Sequence, residues 1–206
     1  MINNSIRARR TIAGLSVVLL GGAGLWLGAV APANAAAQTC HGLTATIIGT
    51  SGADELNGTS GRDVIVGLAG NDEIDGNGSN DVICAGAGYD EVDGGSGNDF
   101  ISGGTGHDEL DGESGRDTLW GGSGRDDLSG GSGNDKLSGG KHNDKIDGDS
   151  GDDKLWGRTG RDFLEGGRGS DRLNGGAGND QKYQDNASER AETLGSATSA
   201  STTDGS

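Results

Sequence analysis

An aspartate recurs every nine residues along most of this chain, from Asp54 to Asp180, fifteen times without an insertion or deletion. A glycine-rich turn precedes each one. The first residue of the nine is Gly except at Ala85, and the fourth is Gly except at Ser79 and His142. Glycine at fixed places lets the backbone turn tightly and expose its carbonyl oxygens. A carboxylate added to such a ring of carbonyls makes an all-oxygen donor set, which suits a hard cation. Calcium takes about six to eight oxygens at about 2.3–2.6 Å. One turn cannot supply that many, whereas two stacked turns can.

The elements that hold these turns in place follow from the rest of the unit. Position eight is Leu, Ile or Val in fourteen of the fifteen units and fails only at Lys182. Its neighbours at seven and nine vary freely. A single aliphatic between two variable residues describes a short strand with its middle side chain turned inward. The repeat runs from Gly49 to Tyr183, and Gly94-Gly95-Ser96-Gly97-Asn98-Asp99-Phe100-Ile101-Ser102 is a well-formed copy.

The unit resembles the nonapeptide G-G-x-G-x-D-x-U-x of the RTX (repeat-in-toxin) proteins. The resemblance implies an all-β fold, a right-handed parallel β-roll with two nonapeptides per coil and calcium between turns that are neighbours along one edge. Carried onto this sequence, it implies metal ligands at Asp54, Asp63, Asp72, Asp81, Asp90, Asp99, Asp108, Asp117, Asp126, Asp135, Asp144, Asp153, Asp162, Asp171 and Asp180. Additional ligands are implied at position five, at Asn71, Asn80, Asn98, Asn134, Asn143, Asp152 and Asn179. The pattern is not kept everywhere. The second Gly stands in only eight units, and Arg occupies position five at Arg62, Arg116, Arg125 and Arg161. His142 replaces a turn glycine beside Asp144, and the last unit lacks its aliphatic. Fewer occupied sites than turns are therefore expected.

Composition places these repeats in context. The chain has 206 residues, 44 of them Gly, with 30% hydrophobic and 3% aromatic residues. So little apolar bulk would ordinarily mean disorder; the strict period argues instead for a metal-completed solenoid. Stacked aspartates repel one another, and one aliphatic per nine residues is a thin core against the entropy of ordering the backbone. The roll is expected to be unfolded without calcium and folded with it.

The ends read differently. Arg7, Arg9 and Arg10 precede an apolar run from Ile12 to Val30, and Ala33-Asn34-Ala35 is a small-residue cleavage site. Residues 1–35 thus read as a signal peptide, and the mature chain is expected to be secreted, beginning at Ala36, with no membrane insertion. Their removal takes three Arg and no acid from a net charge of −16, leaving −16 − 3 = −19. A charge this negative argues against nucleic acid or anionic membrane as partner and for cations. Residues 36–48 read as an N-terminal cap, supplied by the β-prone stretch 43–48. Residues 184–206, rich in Ser, Thr and Ala, read as a disordered tail.

Cys40 and Cys84 are the only cysteines, an even number in an exported chain, and a disulfide between them would pin the cap over the first coils. Trp120 and Trp156 both hold position nine and are 36 residues apart, which puts them on one face two coils apart. No His-Glu-x-x-His or Gly-x-Ser-x-Gly occurs, and the period of the aspartates assigns them to structure rather than to acid–base chemistry. The chain therefore reads as a non-enzymatic calcium-binding protein with a structural, adhesive or calcium-buffering role. The rival reading is a non-catalytic module of a secreted hydrolase or toxin.

Overall fold

A computed structural model describes residues 38–184. The expected signal peptide and nearly all of the expected tail lie outside the described residues. Two parallel sheets of eight strands face each other, and the chain alternates between them with every nonapeptide. The strands of one sheet are three residues each, from Glu55–Asn57 through Glu91–Asp93 to Gln181–Tyr183; this is the short sheet. The other begins at Ile47–Ile48 and continues mostly with strands of six or seven residues, such as Val82–Gly88, Thr118–Ser123 and Lys154–Thr159; this is the long sheet. Register is fixed at eighteen residues per coil, as in Leu110↔Leu128 and Leu137↔Leu155. Two nonapeptides thus make one coil, and the fold is the parallel β-roll that the repeat implied.

Position eight builds the core. Leu56, Ile74, Val92, Leu110, Leu128, Ile146 and Leu164 of the short sheet meet Ile65, Ile83, Ile101, Leu119, Leu137 and Leu155 of the long one, all buried in one continuous cluster. Strands this short cannot bury a face alone, so each coil is stabilised by the coils on either side. The exceptional Lys182 still pairs with Leu164, but its whole strand is exposed, and the core ends there.

The stretch 43–48 divides. Leu43–Thr44 forms a two-stranded antiparallel hairpin with Thr39–Cys40, whereas Ile47–Ile48 pairs with Ile65–Val66 as the first strand of the long sheet. Ile47 takes the register of a position-eight residue and packs against the core. The hairpin lies on the outer face of the long sheet, where Cys40, Val64, Val66 and Val82 make a second apolar cluster. Cys40 and Cys84 are disulfide-bonded across a sequence separation of 44, a loop worth about 4 kcal/mol in the chain-entropy model. Replacing both cysteines by Ser is expected to expose the hairpin to protease and hydrogen exchange while the far-UV circular dichroism of the calcium-loaded roll stays unchanged.

Candidate metal sites along two edges

The turns form two edges. Odd-numbered units line one, carrying Asp54, Asp72, Asp90 and so on to Asp180; even-numbered units line the other, from Asp63 to Asp171. Within each edge the carboxylates are wired one coil apart. Oδ1 of every ladder aspartate from Asp72 onward accepts the backbone N–H of the aspartate eighteen residues earlier, as in Asp54 N–H to Asp72 at 2.9 Å and Asp99 N–H to Asp117 at 2.7 Å. The ladder continues to Asp162 N–H on Asp180 at 3.1 Å.

The second oxygen is different. Oδ2 of Asp72, Asp81, Asp90, Asp99, Asp108, Asp117, Asp126, Asp135, Asp144, Asp153 and Asp162 is buried and has no hydrogen-bond partner. Eleven unsatisfied carboxylate oxygens are far too many for a stable interior. All but that of Asp90, whose unit begins with Ala85, lie beside the first glycine of their own unit. A Cβ built on Gly130 would lie 2.9 Å from Asp135 Oδ2 and 3.0 Å from the Gly148 carbonyl one coil on. On Gly112 it would lie 2.8 Å from both Asp117 Oδ2 and the Gly130 carbonyl. The nearest polar atoms at these two positions are both acceptors, the carboxylate oxygen and the carbonyl one coil on.

Burial drives the energetics. It raises the Asp72 and Asp81 carboxyls to about 6 and those of Asp108, Asp117, Asp144 and Asp153 to about 7, with the neighbouring aspartates on the same edge adding to the rise. The hydrogen bond from the preceding coil works in the opposite direction and does not offset it. A cation in the slot would satisfy Oδ2, screen neighbouring aspartates from each other and use the exposed carbonyls. No group of three or more His, Cys, Asp or Glu side chains converges among the described residues. An ion here would thus be held mainly by backbone oxygen, a donor set that fits calcium better than magnesium, which keeps water and a rigid octahedron.

The first two units depart from this scheme. Thr50 gives Asp54 Oδ2 its N–H at 2.6 Å and its hydroxyl at 2.9 Å; Thr59 does the same for Asp63. Both Oδ2 atoms are therefore satisfied within the chain. Threonine at the second position of these two units alone was the available signal, and reading the repeat by its constant residues passes over it.

Position five has a distinct job. Asn71, Asn80, Asn98, Asn134, Asn143 and Asp152 each accept, through Oδ1, the backbone N–H of the position-five residue one coil on, such as Asn98 N–H to Asn80 at 2.7 Å. His107 does this with Nδ1 toward Arg125. These side chains form a second, exposed ladder along the turns. For Asn179 the equivalent partner would lie outside the described residues. His142 takes a positive φ of 79° in place of glycine, and Asp144 keeps both its ladder bond and its orphaned Oδ2.

The family model for the RTX calcium-binding nonapeptide repeat matches in six overlapping stretches that together span residues 45–181. No curated protein matches the chain.

Proposed function

Because the chain belongs to the RTX calcium-binding nonapeptide repeat family, we propose that it is a secreted, non-enzymatic calcium-binding protein whose roll folds as ions enter the slots between stacked turns. The eleven orphaned Oδ2 atoms carry this reading. They support a reading with ligands at Asp72 through Asp162 and first-position carbonyls one coil on, and with at most one ion per orphaned oxygen. Asp54 and Asp63, already satisfied by threonine, contribute least. Folding driven by extracellular calcium suits a chain that crosses the membrane unfolded through the general secretion route. The stable product is a rigid rod with a structural, adhesive or calcium-buffering role.

The test is a calcium titration of residues 36–206 after chelation, followed by far-UV circular dichroism with magnesium as control. A cooperative coil-to-β transition in calcium alone is expected. A chain that is β-rich in chelator at neutral pH, or that stays coil in millimolar calcium, would overturn the proposal.

A further inference from the structure

Once the ladder aspartates are set aside, the remaining charge is sorted by face. Between Gly49 and Asp111 every other acid lies on the short sheet. Glu55, Glu73, Glu91 and Glu109 stand in register at position seven, and Asp75, Asp93 and Asp111 at position nine. These positions flank the inward residue, so both columns look outward. Repulsion within this plate reaches Asp93, whose carboxyl is raised by burial first and then by Asp111, Glu113, Glu91 and Asp75.

The long sheet carries the opposite charge in the later coils. Lys136, Lys154 and Arg172 stand in register at position seven, and none has an ion pair among the described residues. Together with Arg116 they line a groove of ≈ 540 Å³ whose wall also carries Asp135, Asp152 and Asp153, four cationic side chains against three carboxylates. Trp120, 49% exposed, and Trp156, with the Arg158 guanidinium 5.7 Å above its ring, flank the column. Lys145, which falls on the short sheet instead, is already paired with Asp127 at 3.0 Å.

Like charges stacked across strands are unfavourable, and the two faces look away from each other across the core, so they cannot meet within one copy. Both are ruled at the same interval, because both sheets advance one strand, about 4.8 Å, per coil. We propose that the acidic plate of one roll docks on the Lys136–Lys154–Arg172 column of a second copy, so that rolls associate side by side. Two different surfaces are used, one on each side of the molecule. The contact is therefore heterologous and propagates into open chains unless it closes into a ring. This inference rests on the calcium-folded roll proposed above, since neither column exists in an unfolded chain.

The experiment is sedimentation velocity on residues 36–206, the expected mature chain, in calcium and dilute salt, with circular dichroism recorded on the same samples. Species larger than a monomer, growing with protein concentration, are expected. They should dissociate in about 1 M salt, where the screening length falls to about 3 Å. Lys136→Glu/Lys154→Glu and Glu55→Lys/Glu73→Lys variants should each be monomeric with unchanged circular dichroism, and mixing the two should restore association. A folded wild-type chain that stays monomeric overturns this inference alone; so does association indifferent to both reversals. A folded monomer that captures poly-glutamate through Lys136 and Lys154 would assign the basic column to a foreign polyanion and overturn it too. Failure to fold in calcium overturns the underlying proposal as well.

Discussion

Gly115→Ala will split the roll into two segments. Gly115 holds the fourth position of its unit at φ +146°, a backbone conformation essentially reserved for glycine. A Cβ there would overlap the Gly97 carbonyl oxygen one coil back and crowd Asp117 Oδ1 at 3.3 Å. The neighbour is backbone, so it cannot rotate aside. Nor can the coils part locally, because Ser114 N–H bonds to the Gly95 carbonyl and Gly115 N–H to the Ser132 carbonyl. Conformational strain alone costs about 1–3 kcal/mol, and loss of stacking adds to it. In a solenoid each coil contacts only its neighbours, so the damage should stay at this junction. The calcium titration is expected to change from one transition to two, the second displaced to at least about tenfold higher calcium, with a new protease-sensitive point near residue 115. Gly52→Ala is the control: its Cβ would meet only Thr50 Oγ1, at 3.9 Å. One transition at the wild-type calcium concentration in Gly115→Ala would show that the turn can be rebuilt, contrary to this account.

That asymmetry between glycines shows how far the sequence could be read. The period of Asp and the aliphatic at position eight were enough for the roll, because both follow from constraints that repeat in every coil. The cysteine pair was legible for a similar reason: position nine faces outward, so Cys84 had to meet something lying over the sheet. Less was legible where side chains act between coils. The asparagines at position five also hold, through their side-chain oxygens, N–H groups eighteen residues away, a partner that sequence neighbours do not reveal. The second glycine also looked optional. The structure gives that position a positive φ at Leu68, Asn77, Glu113, Asp149 and Arg158 where glycine is missing. At three of these the cost is offset by an aspartate two residues earlier, Asp75, Asp111 or Asp147, which accepts the N–H. The sorting of charge by face depends on the parity of the unit number, and it becomes visible only when the eighteen-residue coil is laid out.

Acid should substitute in part for calcium. In the unfolded chain the ladder carboxyls titrate near 3.8, whereas in the roll burial raises Asp72, Asp81 and Asp135 to about 6 and Asp108, Asp117, Asp144 and Asp153 to about 7. Between those values the folded state binds more protons than the unfolded one. Stability of the calcium-free roll therefore falls as pH rises through that window, and the full penalty is present above it. Below about 4 both states are protonated and the dependence vanishes. In chelator, far-UV circular dichroism is thus expected to show β structure appearing on acidification between about pH 7 and 4. Calcium and protons compete for the same Oδ2 atoms, so calcium binding must release protons wherever the folded carboxyl would otherwise hold one. Each proton displaced makes affinity change by roughly tenfold per pH unit. Calcium titrations at pH 5.5 and 7.5 should accordingly differ, tighter at the higher pH, with proton uptake on chelation measurable in a weakly buffered cell at pH 5.5, where the protonated roll forms, and absent at pH 7.5, where the calcium-free chain is unfolded and ionised. A chain that stays coil in chelator down to pH 4, with no proton exchanged on calcium binding at pH 5.5, would mean that the roll does not bury these carboxyls as described.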